Sequence, residues 1–240
     1  MDASNGGCVQ ITLPSTLFCI NPQLSVNLNF VKLRVLQLTN SFHQGGSERQ
    51  AVQLIKLLAN DESVDVFPVC LNREGVLFDE LKSAGFSEIP EFKLTSFFNA
   101  HFGSQVRRFA AYLKENKIDV VQTHDFYTNV FGMAGAFLAR TRVRIAAKRE
   151  TGGMRSAAQK IIEKQSFRLA HAVVANSEAV KSYLVSEGVS RDKITTIYNG
   201  LDLERLTPSV KPRAELIDEL GLAVDADAKI VTMVANLRHE

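Results

Sequence analysis

The sequence predicts an α/β fold in which helices cover both faces of a parallel β-sheet. Short apolar segments alternate with longer amphipathic segments from residue 33 onward, and this alternation is typical of parallel strands joined by helices. The apolar fraction of 45% is too high for a disordered chain. Right-handed crossovers bring the carboxyl ends of all strands to one edge of such a sheet, where ligands bind.

The individual elements follow from the apolar periodicity. The predicted strands cover residues 33–38, 64–71, 88–94, 118–123, 143–147, 172–175 and 194–198. The predicted helices cover residues 47–59, 76–84, 105–116, 127–140, 154–169 and 177–187. Ser47 and Gln50 would form a capping box at the start of the first helix. Pro68 lacks an amide proton, so we expect its strand to lie near an edge of the sheet or to carry a bulge.

The pattern divides the chain into four parts. Residues 1–30 are predicted to be an N-terminal extension, either without regular order or forming an extra edge strand. Residues 31–198 would form the α/β domain. Residues 199–228 read as a linker between domains because turn residues and prolines break the rhythm there. Residues 229–240 would begin the first strand of a second domain.

A glycine pair, Gly45 and Gly46, separates the first predicted strand from its helix. Without Cβ atoms the backbone can approach a ligand closely, and the amides at the start of the helix suit a phosphate. A tight turn without a ligand explains the pair equally well. Gln44 and Ser47 flank the pair, so the G-x-G-x-x-G pattern of nicotinamide-dependent enzymes is absent.

His124 comes directly after the predicted strand 118–123, at the edge where ligands bind in this architecture. Its imidazole could donate a hydrogen bond to a sugar hydroxyl or orient a substrate. The alternative is a loop histidine without a ligand, next to an Asp125 that caps the following helix.

Charged residues follow the next predicted strand as Lys148, Arg149, Glu150 and Thr151, before two glycines. Paired cations suit an anionic or polyhydroxylated ligand, and a solvated flexible loop is the alternative. The segment 140–168 is rich in lysine and arginine. It could attract anionic lipid head groups or a phosphorylated substrate, or it could be a solvated helix face.

Composition argues against several other classes. The net charge is +2 and the basic segment contains a single aromatic residue, Phe167, which argues against binding of single-stranded nucleic acid. Cys8, Cys19 and Cys70 lack the spacing of a metal or redox site, so we expect reduced thiols in the cytoplasm. No histidine has a partner at metal-ligand spacing, and no metal is expected. No apolar run is long enough to cross a bilayer, and the amino terminus lacks the basic region of a secretory signal.

Four segments occur in the order and spacing of a known family. They are Gly45-Gly46-Ser47-Glu48-Arg49, Asp119–Asp125, Val173–Ser177 and Ile197–Asp202. Each is weak alone, but the ordered set resembles the N-terminal, acceptor-side domain of the family 4 glycosyltransferases, which have the two-Rossmann-domain (GT-B) architecture. The resemblance covers about residues 31–240. It implies a Rossmann-like acceptor-side domain that is truncated just inside the C-terminal donor domain.

The resemblance also implies a reaction, namely retaining, metal-independent transfer of a sugar from a nucleotide-sugar to a sugar or lipid-linked acceptor. No cofactor is implied, and peripheral contact with the inner face of the membrane is compatible with such an acceptor. By the same resemblance His124 would contact the transferring sugar, and Gly45-Gly46 would approach the donor diphosphate. Lys148 to Thr151 would line the acceptor side, and Asn199-Gly200 would start the interdomain hinge.

One departure from the family pattern lies near the end of the chain. The family usually has Gly-Arg, followed by a lysine, to hold the donor diphosphate. This chain has Ala235-Asn236 instead, with Arg238 two positions later, so Asn236 and Arg238 are the donor-binding candidates. The paired glutamates of the family's donor domain are absent. Because these charges stabilise the departing diphosphate, we expect little or no transferase activity from this chain alone.

Two other functions stay open at this point. The chain could be a non-catalytic module that binds an acceptor or docks to a separate partner chain. It could also be related to the nucleotide-sugar epimerases, for which only Asp125 and Glu150 could serve as carboxylates in the crevice.

Overall fold

The computed structural model describes residues 10–13, 16–19, 32–94, 100–152, 155–203, 211–225 and 228–231. Near the amino terminus, Gln10–Leu13 (β1) and Thr16–Cys19 (β2) pair as an antiparallel two-stranded sheet. This hairpin does not join the larger sheet. The described part of the N-terminal extension is therefore not an extra edge strand of that sheet.

Six parallel strands form the main sheet, as the alternating pattern predicts. They are β3 (Leu33–Thr39), β4 (Val64–Cys70), β5 (Val120–Thr123), β6 (Val143–Lys148), β7 (Ala172–Ala175) and β8 (Ile194–Thr196). Their order across the sheet is β4-β3-β5-β6-β7-β8. The helices are α1 (Gly46–Ala59), α2 (Leu77–Ser83), α3 (Ala100–Glu115), α4 (Phe126–Ala139), α5 (Ala157–Leu169) and α6 (Glu178–Ser186), with a 3-10 turn at Arg191–Lys193. The Rossmann-like α/β fold class is confirmed.

The sheet separates two hydrophobic cores. Successive residues of a strand point to opposite faces, and in β4 Val69 belongs to the larger core whereas Cys70 belongs to the smaller one. Helices α1 and α2 supply side chains to the smaller core. Phe109 of α3 and Phe131 of α4 meet in the larger core, with ring centroids 5.1 Å apart. Helices thus cover both faces of the sheet.

Strand β4 is the outer strand on one side, which confirms the prediction from Pro68. The predicted strand over residues 88–94 is wrong, because that segment makes one isolated bridge, between Cys70 and Glu91. Pro90 explains why the pairing is so short. Its carbonyl accepts a hydrogen bond from Cys70 N at 3.0 Å, but it has no amide proton to continue a ladder.

Helix α1 begins differently from the prediction. It starts at Gly46, with Gly45 as the N-cap residue, and no side chain caps it. The capping box expected from Ser47 and Gln50 is therefore wrong. Because glycine has no side-chain acceptor, the first amides of α1 are left to other groups.

The chain divides into two compact units between Asn199 and Gly200. This is the pair predicted to start a hinge, and the hinge movement itself stays a prediction. Within the second unit, α7 spans Arg213–Glu219. Residues 229–231 of the predicted last strand are not in a strand, and the rest of that segment lies outside the described residues. Among the described helices, none has the length and hydropathy to cross a membrane.

Candidate functional site

The loop between β3 and α1 is held in place by the loop that follows β4. Phe42 N donates to Glu74 O at 2.8 Å, and Leu77 N donates to Phe42 O at 2.9 Å. Gly75 has a φ of +125°, and a Cβ at this position would lie 2.0 Å from the carbonyl carbon of Phe42. Only glycine permits this approach. The two loops therefore form one firm rim at the carboxyl edge of β3 and β4.

Gly45 and Gly46 lie on this rim, at the amino end of α1. A Cβ on Gly46 would meet nothing within 4 Å, whereas a Cβ on Gly45 would lie 2.0 Å from Glu48 Oε2. The Glu48 carboxylate thus lies beside the helix N-terminus, which favours negative charge. Any phosphate at this N-terminus must share the position with Glu48 or displace it. The predicted contact of the glycine pair with a donor diphosphate stays a prediction.

An open hollow of about 670 Å³ adjoins the rim. It is lined by His43, Gln44, Gly75, Val76 and Asp79. The hollow leaves space for a ligand next to the start of α1.

The backbone of His124 is fixed at the end of β5 by the capping box of α4. The Asp125 side chain accepts from Thr128 N at 3.0 Å, and the Thr128 hydroxyl accepts from Asp125 N at 3.0 Å. The same hydroxyl accepts from His124 N at 3.1 Å. The predicted cap at Asp125 is confirmed, and it positions the histidine as well as the helix.

The His124 side chain is bonded to protein groups on both sides of its ring. Its Nε2 lies 2.8 Å from Gln37 Oε1, and Gln37 Nε2 donates to Gln122 Oε1 at 3.2 Å. On the other side, Arg149 Nη2 lies 3.5 Å from His124 Nδ1. Only 1% of the His124 surface is exposed. In this arrangement the ring has no free donor for a sugar hydroxyl, contrary to the expectation from the sequence.

Burial also sets the protonation of the two residues at this strand end. It lowers the pKa of His124 to about 3, and the nearby charge of Arg149 acts in the same direction. Burial raises the pKa of Asp125 to about 6, against the opposing effect of its hydrogen bond from Thr128 N. Glu48 raises the pKa of Asp125 further by charge repulsion. At neutral pH the imidazole is therefore uncharged.

Lys148 lies elsewhere than the sequence suggested. Its side chain is 3% exposed, and Nζ donates to both carboxylate oxygens of Glu163 at 3.0 Å. Arg155 also donates to Glu163 at 3.0 Å and pairs with Glu150. The expectation that Lys148 lines the acceptor side is therefore wrong. Its ammonium group is buried and pairs with Glu163, as a buried ion must be paired.

Arg149 is the first residue after β6, and its side chain contacts other groups than Lys148 does. Its Nη1 donates to Asn199 Oδ1 at 2.5 Å, and its carbonyl accepts from Asn176 Nδ2 at 3.1 Å. Arg149 thus connects the histidine to the first residue of the predicted hinge. Glu150 and Thr151 are exposed beside it, and their contact with an acceptor stays a prediction.

Sequence reasoning missed Gln37, Gln122 and Glu163. Gln37 and Gln122 are direct register partners on β3 and β5, and each interrupts an apolar strand. A polar side chain within a buried strand needs a partner, so this interruption was the available signal. Glu163 is on α5, and nothing local distinguishes it from a solvated helix residue.

The remaining predicted donor residues, Asn236 and Arg238, lie outside the described residues. Within the described ranges, the structure contains no group of three or more histidine, cysteine, aspartate or glutamate side chains that could hold a metal ion.

Comparison with known proteins gives one family. The sequence model described as Glycosyltransferase Family 4 matches residues 44–205, more than half of the chain. The capsular polysaccharide biosynthesis glycosyltransferase CapH of Staphylococcus aureus is 25% identical over 192 residues, which cover 75% of this chain and 50% of CapH. The chain thus spans about half the length of this curated relative.

Solved structures show the same fold. Anabaena HepE in complex with UDP matches with a TM-score of 0.64 at 19% identity, over 79% of this chain and 50% of HepE. The UDP-N-acetylglucosamine 2-epimerase of Rickettsia bellii matches with a TM-score of 0.54 at 15% identity, over 80% of this chain and 52% of the epimerase. At these identities the likeness concerns the fold alone.

Proposed function

This chain belongs to glycosyltransferase family 4, and on that premise we propose that it supplies the acceptor-side half of an enzyme that transfers a sugar from a nucleotide-sugar donor. The single observation that carries the proposal is the position of His124. It comes directly after β5, a central strand, at the carboxyl edge of the sheet, and ligands bind at this edge in this architecture. Its backbone and both ring nitrogens are held by hydrogen bonds.

We propose a uridine nucleotide-sugar as the donor class. HepE structures contain UDP, UDP with glucose, and UDP-glucose, and the shared fold supports a related donor here. The transfer would retain the configuration of the sugar and need no metal. Gly45-Gly46 would approach the diphosphate beside Glu48, and Asn199-Gly200 would be the hinge on which a donor-side domain closes.

For the acceptor we propose a sugar or a lipid-linked sugar bound near Arg149, Glu150 and Thr151. Arg149 supplies guanidinium donors, and the exposed Glu150 and Thr151 supply acceptors for hydroxyl groups. The basic segment 140–168 supports peripheral contact with an anionic, cytoplasm-facing membrane surface. Nucleic acid is not proposed as a partner.

Calorimetric titration tests the proposal. The 240-residue chain is titrated with UDP-glucose, GDP-mannose and ADP-glucose, beside a version that is extended beyond residue 240. Because the donor nucleotide would be held mainly by a C-terminal domain, we expect binding of UDP-glucose by the extended version only. The chain alone is then expected to show little or no transferase activity.

The other outcomes have clear meanings. Equal binding by both versions would place the nucleotide on the 240-residue chain itself and overturn the split of the site. Binding by neither version would favour a non-catalytic module that binds an acceptor or a partner chain. If NMR shows that the released product is an epimerised nucleotide-sugar, this would favour the epimerase alternative.

A further inference from the structure

The hydrogen bonds around His124 determine which ring nitrogen carries its proton. A neutral imidazole has one donor nitrogen and one acceptor nitrogen, and its partners decide between the two tautomers. The amide of Gln37 offers either an oxygen or an NH₂ group to Nε2, depending on how the amide is turned. Gln37 by itself therefore accommodates both tautomers.

Arg149 removes this ambiguity. A guanidinium group has donors only, so Nδ1 of His124 must be the acceptor of the contact with Arg149 Nη2 at 3.5 Å. The proton is then on Nε2, which donates to Gln37 Oε1 at 2.8 Å. Gln37 Nε2 in turn donates to Gln122 Oε1 at 3.2 Å. All these hydrogen bonds have one consistent direction, from Arg149 through His124 and Gln37 to Gln122.

These hydrogen bonds are buried, and burial disfavours any arrangement that leaves one of their polar groups unpaired. Gln37 is fully buried and His124 nearly so, and an unpaired polar group in such a place is costly. Arg149 is held from its other end by Asn199. Among the described residues, Arg149 Nε is buried and has no hydrogen-bond partner, so the guanidinium still has a donor to offer.

We propose that Arg149 and Gln37 are positioning residues that hold His124 as the neutral Nε2–H tautomer. Nδ1 is then the one ring nitrogen of His124 that a ligand can reach, by displacing the Arg149 guanidinium, and it acts there only as a hydrogen-bond acceptor. If the proposed function holds, the group that meets it is a donor, such as a sugar hydroxyl. The tautomer itself does not depend on the proposed function.

Nitrogen-15 NMR of the histidine-labelled, ligand-free 240-residue chain tests the proposal. Long-range proton–nitrogen correlation spectra distinguish the two tautomers, and His124→Gln assigns the His124 signals by their loss. At pH 8 we expect the wild-type protein to show one tautomer, with the proton on Nε2. Observation of the Nδ1–H tautomer or of a mixture overturns the proposal.

Arg149→Met isolates the role of Arg149. Without the obligate donor, the Gln37 amide can turn, so we expect both tautomers in this variant. Arg142→Met removes an exposed arginine and should leave the wild-type spectrum unchanged. Circular dichroism checks that each variant is folded. A folded Arg149→Met protein with a pure Nε2–H tautomer would overturn the role of Arg149.

A double variant, Gln37→Glu with Arg149→Met, provides a rescue. An ionised carboxylate only accepts, so it should restore protonation of Nε2 although Arg149 is missing. A persistent mixture of tautomers in the folded double variant would overturn the role of position 37. Because none of these measurements uses a nucleotide-sugar, their failure is distinct from failure of the proposed function.

Discussion

Lys148 Nζ lies 3.0 Å from both carboxylate oxygens of Glu163, and the side chains of both residues are buried. This ion pair joins the end of β6 to α5, and Arg155 shares the same carboxylate. The next residue, Arg149, contacts His124 instead. Lys148 and Arg149 look alike in the sequence, but they differ in the structure. Lys148 forms a buried ion pair, whereas Arg149 contacts the candidate site.

Replacement of Glu163 should destabilise the protein strongly. Glu163→Met leaves the buried Lys148 ammonium without its principal partner, and we expect a loss of about 3–5 kcal/mol. Lys148→Met should cost less, because Glu163 keeps its hydrogen bonds with Arg155. Urea unfolding measures both free energies.

The matched control for this experiment is an exposed ion pair. Asp79 and Lys82 are 3.0 Å apart, with exposed side chains, and Asp79→Asn should change the stability by less than about 1 kcal/mol. If Glu163→Met and Lys148→Met lower the free energy of unfolding equally, this would contradict the claim that Arg155 remains a partner of Glu163 when Lys148 is replaced.

Gly132 allows α4 to lie close to the sheet. A Cβ at this position would be 2.5 Å from Thr123 Cγ2 and 2.8 Å from Leu38 Cδ2. Because both neighbours are fully buried, Gly132→Ala should destabilise the protein by about 1–3 kcal/mol. Gly103→Ala is the control, since a Cβ there meets nothing within 4 Å and alanine favours helix by about 0.5–1 kcal/mol. Thermal unfolding should shift in opposite directions for the two variants.

Cys70 should react slowly with thiol reagents in the native protein. Burial raises the pKa of its thiol to about 12, and the charge of Glu91 adds to the effect. Since the thiolate is the reactive form, labelling at pH 8 should require unfolding. The variant Cys8→Ser with Cys19→Ser leaves Cys70 as the single thiol, and its labelling rate should rise with urea. Fast labelling without urea would contradict the buried position.

Local chemistry in the sequence was sufficient to predict much of the fold. Apolar periodicity predicts the strands that enter the sheet, Pro68 predicts the outer strand, and Asp125 predicts the cap of α4. The two wrong predictions of secondary structure also have local causes. The segment over residues 88–94 has the apolar content of a strand, but Pro90 prevents it from forming a ladder. Ser47 lies within α1 because the helix begins one residue earlier, at Gly46.

The candidate site was less predictable because its contacts depend on strand order. Gln37 and His124 are 87 positions apart and meet only because β3 and β5 are neighbours in the sheet. The pairing of Lys148 with Glu163 depends likewise on how α5 packs against β6. Lys148 and Arg149 are neighbours in the sequence but contact different groups, and periodicity alone does not say which of them would meet a ligand.

Asp125 should make the stability of the protein depend on pH in a defined direction. Its pKa is raised from 3.8 to about 6 in the folded protein, first by burial and also by Glu48. Between these two values the folded state holds a proton that the unfolded state releases, so this group's contribution to stability falls as the pH rises from about 4 to about 6. The difference between a pKa of 3.8 and a pKa of about 6 corresponds to a change of at most about 3 kcal/mol in the free energy of unfolding.

Asp125→Asn should remove this pH-dependent contribution to the stability of the protein. Asparagine retains an acceptor for Thr128 N and is a good N-cap residue, but it does not ionise. Relative to the wild-type protein, the variant should therefore gain stability as the pH rises from 4 to 6, and the difference should be constant above about pH 7. Urea unfolding at several pH values measures this difference, with Asp79→Asn as the control for loss of an exposed carboxylate. A difference that does not change with pH would mean that the half-buried position of Asp125 and the charge of Glu48 do not raise its pKa in the folded protein.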